Sequence, residues 1–211
     1  MYAMFYNMKK IFFSILLLLL LIEQSLGKEV RTRFGFYVNL PNNYLQLTAN
    51  IDEMFKNDVD NSTDINKEYF NEMMSGSARS DLNIEYYFPK KKYNAEKNMI
   101  YIMVQSNLIF DELLDFSLNE ICQVTTENLG MLYNRKVKLY DCKFNPKFID
   151  KKNSSGVYYI ESDGYLSNQR LYMVMLEMND GFTTNFVAGC EIKNCDIFKK
   201  DMITIVNSRA E

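Results

Sequence analysis

Apolar and polar positions along the 211 residues change pattern several times. The chain opens with Lys9 and Lys10, followed at once by an unbroken apolar run from Ile11 to Ile22. From Arg33 to Leu40 the pattern alternates, with Phe34, Phe36 and Val38 on one side, and it stops at Pro41-Asn42-Asn43. That predicts a strand closed by a turn, extended by a short piece over Tyr44 to Thr48. From Asn50 to Ser80 the composition becomes polar and small, with little periodicity beyond a short helix expected over 65–74, so this stretch reads as a surface insertion. A strand over Leu82 to Phe88 then ends at Pro89 and Lys90-Lys91-Lys92, three like charges expected at a solvated hairpin tip.

Met99 to Val104 and Leu171 to Leu176 are apolar at both odd and even positions, so each predicts a strand covered on both faces. Between them Asp111 reads as the N-cap of a helix ending near Gly130, with Leu114, Leu118, Ile121 and Cys122 as its buried stripe. Lys136 to Leu139 alternates and predicts a strand near a sheet edge. Val157 to Glu161, Leu171 to Met178 and Phe182 to Cys190 follow as strands, the last two joined by the hairpin signal Asn179-Asp180-Gly181. Asp196 is expected to cap a final helix that buries Phe198, Met202 and Ile205. This order predicts an α+β fold, an antiparallel β-sheet with helices packed on both faces.

The opening run addresses the chain to the secretory pathway. Two lysines, a short apolar core and the small residues Ser25 and Gly27 make a signal peptide over residues 1–27, with cleavage before Lys28. The competing reading is a membrane anchor, but the apolar stretch falls short of the roughly 17 to 25 residues that span a bilayer as a helix. No cysteine lies near the cut, which argues against a lipidated N-terminus. Met8 would itself open a well-formed signal, so Met1 to Asn7 read as an upstream extension. The expectation is a periplasmic or secreted protein with one domain over residues 28–211, carrying the polar insertion at about 50–80, and with no integral membrane span after cleavage.

Cleavage takes away Lys9, Lys10 and Glu23, leaving 22 basic and 26 acidic side chains and a formal charge of −4. That balance gives no general attraction to nucleic acid or anionic lipid. The abundance of Asn, Lys, Ile and Tyr reads first as the mark of an AT-rich genome. His is absent, which removes the side chain most used for proton transfer near neutral pH and the commonest metal ligand. The four cysteines, Cys122, Cys142, Cys190 and Cys195, are an even count in an exported chain and so suggest disulfides. Three pairings are open. The closeness of Cys190 to Cys195 favours a small ring there, which leaves Cys122 for Cys142. The absence of C-x-x-C speaks against a redox enzyme.

Candidate chemistry is sparse. Asp58, Asp60, Ser62 and Asp64 alternate along a polar loop as calcium ligands can, but an EF-hand would have Gly at Thr63 and Glu at Tyr69, so a solvated acidic loop is the simpler reading. Glu161 and Asp163 are a carboxylate pair of the kind glycoside hydrolysis needs, though Asp163-Gly164 also reads as a turn. G-x-S-x-G and G-x-x-x-x-G-K are missing. Asn61 and Asn153 stand in glycosylation sequons, relevant in a eukaryotic host. Tyr86, Tyr87, Tyr93, Tyr158, Tyr159 and Tyr165 fall at strand ends and turns, where a tyrosine can serve recognition as well as packing. No catalytic, cofactor or metal residue is assigned.

The stretch Phe34-Gly35-Phe36-Tyr37-Val38-Asn39-Leu40-Pro41-Asn42-Asn43-Tyr44 resembles the opening of the PsbP-like and DcrB-like superfamily, in which an apolar strand runs into Leu-Pro, two turn residues and an aromatic. The order of later elements is similar as well. Tyr44 in place of the family's usual Trp, the 50–80 insertion and the cysteines are departures. The resemblance implies a sandwich of helices around an antiparallel sheet and an exported, non-enzymatic binding or accessory protein, with an envelope protein or complex as partner. It offers no catalytic residue to carry over. Two further classes stay open: a secreted hydrolase using Glu161 and Asp163, and a secreted host-interacting factor using the 50–80 insertion.

Overall fold

The computed structural model describes residues 27–46, 84–90, 98–152, 154–178 and 181–210, with the backbone alone for 105–110. The expected signal peptide up to Leu26, the 50–80 insertion with its Asp58–Asp64 loop, Tyr93 and both sequon asparagines lie outside the described residues.

Two strands, β1 (Lys28–Arg31) and β2 (Tyr37–Leu40), form a hairpin of their own. The expected single strand over Arg33 to Leu40 is therefore corrected. Gly35, at φ 99°, makes a turn within it, and the Thr32 hydroxyl donates to the Phe36 carbonyl across that turn. The remaining strands are β3 (Tyr44–Gln46), β4 (Ile84–Pro89), β5 (Met99–Ile109), β6 (Leu139–Phe144), β7 (Val157–Asp163), β8 (Gln169–Glu177) and β9 (Phe182–Glu191). They make one seven-stranded antiparallel sheet in the order β3-β4-β5-β9-β8-β7-β6. The strand expected at Lys136 instead begins at Leu139, and β6 is an edge of the sheet as its charge pattern predicts.

The helix expected from Asp111 to Gly130 is two helices, α1 (Phe110–Leu114) and α2 (Leu118–Tyr133). Ser117 rather than Asp111 caps the long one. Its hydroxyl accepts from the Glu120 amide at 3.3 Å while Glu120 reaches back to the Ser117 amide at 2.7 Å, a capping box. The break shifts the buried stripe, so Leu113 is buried and Leu114 is 40% exposed. Gly130 does not end α2; Asn134, at φ 49° and ψ 41°, supplies the left-handed C-cap. The final helix, α3 (Cys195–Asn207), buries Phe198, Met202 and Ile205 as expected, but Asp196 sits in its first turn and Asn194 occupies the N-cap position.

Alternation along β7 explains the packing. Val157 and Tyr159 join a large cluster with Phe198, Met202 and Ile205 of α3 and Phe36, Val38 and Leu40 of the hairpin. Tyr158 and Ile160 join Leu113, Leu118 and Ile121 of α1 and α2. A third cluster brings Leu129 and Tyr133 of α2 to Leu171, Val187 and Tyr101 of the sheet. Two-sided burial of this kind requires the continuous apolar strands seen at Met99–Val104 and Leu171–Leu176.

The cysteines come together in the two pairs that spacing favours. Cys122 of α2 meets Cys142 of β6 with 6.2 Å between Cα atoms, and Cys190 of β9 meets Cys195 of α3 with 5.2 Å, both at bonding distance through sulfur.

Candidate functional site: a tyrosine-rimmed groove

A groove of 480 Å³ opens where the end of α2 passes the turn between β7 and β8. Tyr101 of β5, Leu171 of β8 and Gly189 of β9 line it together with Leu132, Tyr133 and Tyr165, of which Leu132 and Tyr165 are exposed and form the mouth. The rings of Tyr133 and Tyr165 meet edge to face at 5.5 Å. On the other side Tyr101 packs against Tyr86 at 5.8 Å, and Tyr86 stacks on Phe88 at 6.0 Å. Burial pushes the hydroxyls of Tyr101 and Tyr133 above the ordinary tyrosine range, so both stay neutral.

Local geometry fixes the mouth. The left-handed Asn134 turns the chain back as α2 ends, and the Arg135 amide bonds the Gly130 carbonyl at 3.1 Å. The Arg135 guanidinium then donates to the carbonyl oxygen of Gly164 and, at 3.5 Å, to that of Leu166. Inside the turn the Gly164 amide bonds the Gln169 carbonyl at 2.9 Å and the Leu166 amide bonds Gln169 Oε1 at 3.0 Å. A Cβ on Gly164 would lie 2.6 Å from Gln169 Cβ, which only glycine avoids. Gly189, by contrast, faces open space.

The mouth is exposed and apolar: Leu132 is 73% and Tyr165 65% accessible. The guanidinium of Arg170, a residue that borders the groove, is engaged elsewhere, 3.2 Å from Asp163 and over the Tyr140 ring. A neutral apolar cleft of this size suits an aromatic or aliphatic group rather than a charged one.

Asp163 lies in β7 and not in a turn. It accepts hydrogen bonds from the Lys138 amide at 3.0 Å, the Tyr140 hydroxyl at 2.9 Å and Arg170 at 3.2 Å, with Arg135 at 3.7 Å. Burial pushes its carboxyl up, but the Lys138 amide, the Tyr140 hydroxyl and the two guanidinium groups outweigh burial and hold it below the usual carboxylate value. Glu161 accepts from Lys199 at 3.1 Å and from the Tyr159 hydroxyl at 3.2 Å. A glycosidase pair needs one protonated and one ionised carboxyl; Asp163 is held ionised and so cannot be the acid, and neither carboxylate lines the groove. The carboxylates join strands β6, β7 and β8 to α3 and to the segment after α2.

Of the tyrosines singled out from sequence, Tyr165 stands at the mouth and Tyr86 in the aromatic row behind it. Tyr87, Tyr158 and Tyr159 are core residues, 0 to 3% exposed. Sequence reading missed Leu132, Tyr133, Asn134 and Arg135. The available signal was Tyr-Asn-Arg after a helical stripe, since Asn is the commonest left-handed cap after Gly.

No protein-family model and no curated protein matches the sequence. The fold is PsbP-like. The solution structure of cyanobacterial PsbP (CyanoP) from Synechocystis sp. PCC 6803 aligns over 88% of this chain and 92% of its own, with a TM-score of 0.54 and 10% identity. The Saccharomyces cerevisiae Ran-binding protein Mog1p aligns over 87% and 94%, with a TM-score of 0.45 and 9% identity.

Proposed function

We propose that this chain is an exported, non-enzymatic binding or accessory protein of the cell envelope, periplasmic or secreted, which holds a partner protein by inserting a neutral aromatic or aliphatic side chain of that partner into the groove at Tyr133 and Tyr165. The exposed apolar mouth carries the reading: Leu132, Tyr165 and Leu166 leave three large side chains partly in water around the cleft they line. Soluble domains seldom keep such a patch without a use for it, and interfaces concentrate their energy in buried aromatic anchors of this type. Export is supported by the Lys9-to-Gly27 leader and by two cysteine pairs within bonding distance. The hydrolase alternative gains no support from the groove, because neither Glu161 nor Asp163 lines it and both carboxylates are engaged by neighbouring side chains.

The test uses a neutral occlusion of the cleft. A Cβ at Gly189 meets no atom within 4 Å and Gly189 lines the groove, so Gly189→Leu adds a neutral side chain there. Peptides selected from a random display library against the parent protein are expected to carry an aromatic or long aliphatic anchor without net charge, and to bind Gly189→Leu at least about tenfold more weakly, as loss of one hot-spot pocket implies. Peptides that bind parent and variant equally overturn the reading.

A further inference from the structure

We propose that the margin of the sheet formed by residues 134–152 docks on an anionic lipid surface. A formal charge of −3 for the whole chain conceals an uneven distribution. Between Asn134 and Lys152 stand seven basic residues and two acidic ones, Asp141 and Asp150. Lys136, Lys138, Lys143, Lys147, Lys151 and Lys152 are all exposed. Among the described residues only Lys143 of these has a salt-bridge partner, Asp141 at 2.5 Å. The segment runs along and just beyond β6, the open edge of the seven-stranded sheet.

Three aromatic rings stand among these lysines. Tyr140, Phe144 and Phe148 are 39%, 41% and 39% exposed. Each is held from behind: Phe144 packs on Tyr158 at 4.9 Å, Phe148 meets Tyr159 edge to face at 5.0 Å, and Tyr140 lies beneath Arg170. Rings fixed half in protein and half in water thus stand on both sides of the sheet margin, Phe144 on the α1–α2 side and Phe148 on the α3 side. With flexible ammonium groups between them, they match a margin laid edge-on at the boundary of a bilayer. There aromatic side chains settle at headgroup depth while lysines meet the negative surface potential.

The basic residue type decides between a lipid surface and an acidic polypeptide. Carboxylates of a peptide are best held by the guanidinium fork, and the one arginine here, Arg135, is engaged with Gly164 and Asp163. Lysines act as mobile point charges suited to a diffuse anionic field. Lysine on an edge strand also keeps edges from pairing, but Lys147, Lys151 and Lys152 lie past the end of β6, where that duty has no object. The proposal does not depend on the groove, which adjoins this margin at Tyr133, because the lysines it rests on most, Lys147, Lys151 and Lys152, do not line it.

The experiment is sedimentation of the protein with phosphatidylcholine vesicles, with and without about one-third phosphatidylglycerol, at about 0.1 M and about 1 M salt. The expected result is binding to the anionic vesicles at low salt only. The triple variant Lys147→Gln, Lys151→Gln, Lys152→Gln, all exposed and without structural bonds from their ammonium groups, should bind about a hundredfold more weakly. Phe144→Ala should weaken vesicle binding further while the thermal transition reports that it still folds. No binding to anionic vesicles at low salt overturns the proposal. So does displacement from the vesicles by polyglutamate or duplex DNA at equal charge concentration, which would mark a general polyanion surface instead.

Discussion

The Arg135 guanidinium donates to the Gly164 carbonyl across 29 residues of sequence, and this bond joins the end of α2 to the β7–β8 turn. It sets where Tyr133 and Tyr165 stand, and so sets the width of the groove mouth. Arg135 does not line the groove itself, whereas Gly164 does. Their role is to place others.

Gly164→Ala tests how tightly that junction is built. The new Cβ would meet Gln169 Cβ at 2.6 Å and the Arg170 carbonyl oxygen at 3.2 Å, inside a turn closed by two backbone bonds. Overpacking of this type costs about 1 to 3 kcal/mol. Urea denaturation should show a lower midpoint with an unchanged slope. A midpoint equal to the parent's would mean that the turn relaxes freely.

Both cysteine pairs are expected to be oxidised in protein recovered from its native compartment, and to contribute unequally. In the chain-entropy account the bridge across 20 residues, Cys122–Cys142, contributes about 3 kcal/mol and the bridge across five, Cys190–Cys195, about 2 kcal/mol. Paired serine substitutions, compared by denaturant unfolding, should rank in that order. Non-reducing peptide maps that show four free thiols would exclude the pairing altogether.

The proposed processing before Lys28 would leave β1 whole, because its register with β2 begins at Lys28 opposite Leu40. N-terminal sequencing of the exported protein should therefore read Lys-Glu-Val-Arg. A mature chain that retains Ile11 to Ile22 would be anchored instead.

The central strands were legible in the sequence because two-sided burial leaves a run such as Leu171 to Leu176 with no polar alternation to misread. The stripe of α3 was equally plain, since Phe198, Met202 and Ile205 are all fully buried. What failed was punctuation. Ser117 outcompetes Asp111 as a cap because Glu120 completes a reciprocal pair of bonds, and the end expected near Gly130 is supplied by Asn134. The groove was harder still. Its mouth joins residues 132–135 to 164–166, and the joining bond runs from a side chain to a main-chain oxygen, which leaves no trace in hydrophobic periodicity. Asp163 illustrates the same limit: beside Gly164 it reads as a turn residue, yet register opposite Arg170 places it in a strand.

Asp163 also gives the fold its clearest pH dependence. Its folded carboxyl titrates below the ordinary value, so it contributes stability that is present above the unfolded pKa, near 4, and is lost as pH falls through the lower folded pKa. Asp163→Asn keeps the shape but leaves Arg135 and Arg170 without their carboxylate, and Tyr140 and the Lys138 amide with a weaker acceptor. At neutral pH the variant should be about 1 to 3 kcal/mol less stable than the parent, the cost of removing one member of a partly buried charged network. The gap should narrow as pH drops below about 4, because the parent then protonates the same group. Thermal unfolding of both proteins between about pH 3 and pH 7 decides it. A stability difference that stays constant across that range would mean that Asp163 acts through its shape and hydrogen bonds alone, and that the arginines beside the groove do not depend on its charge.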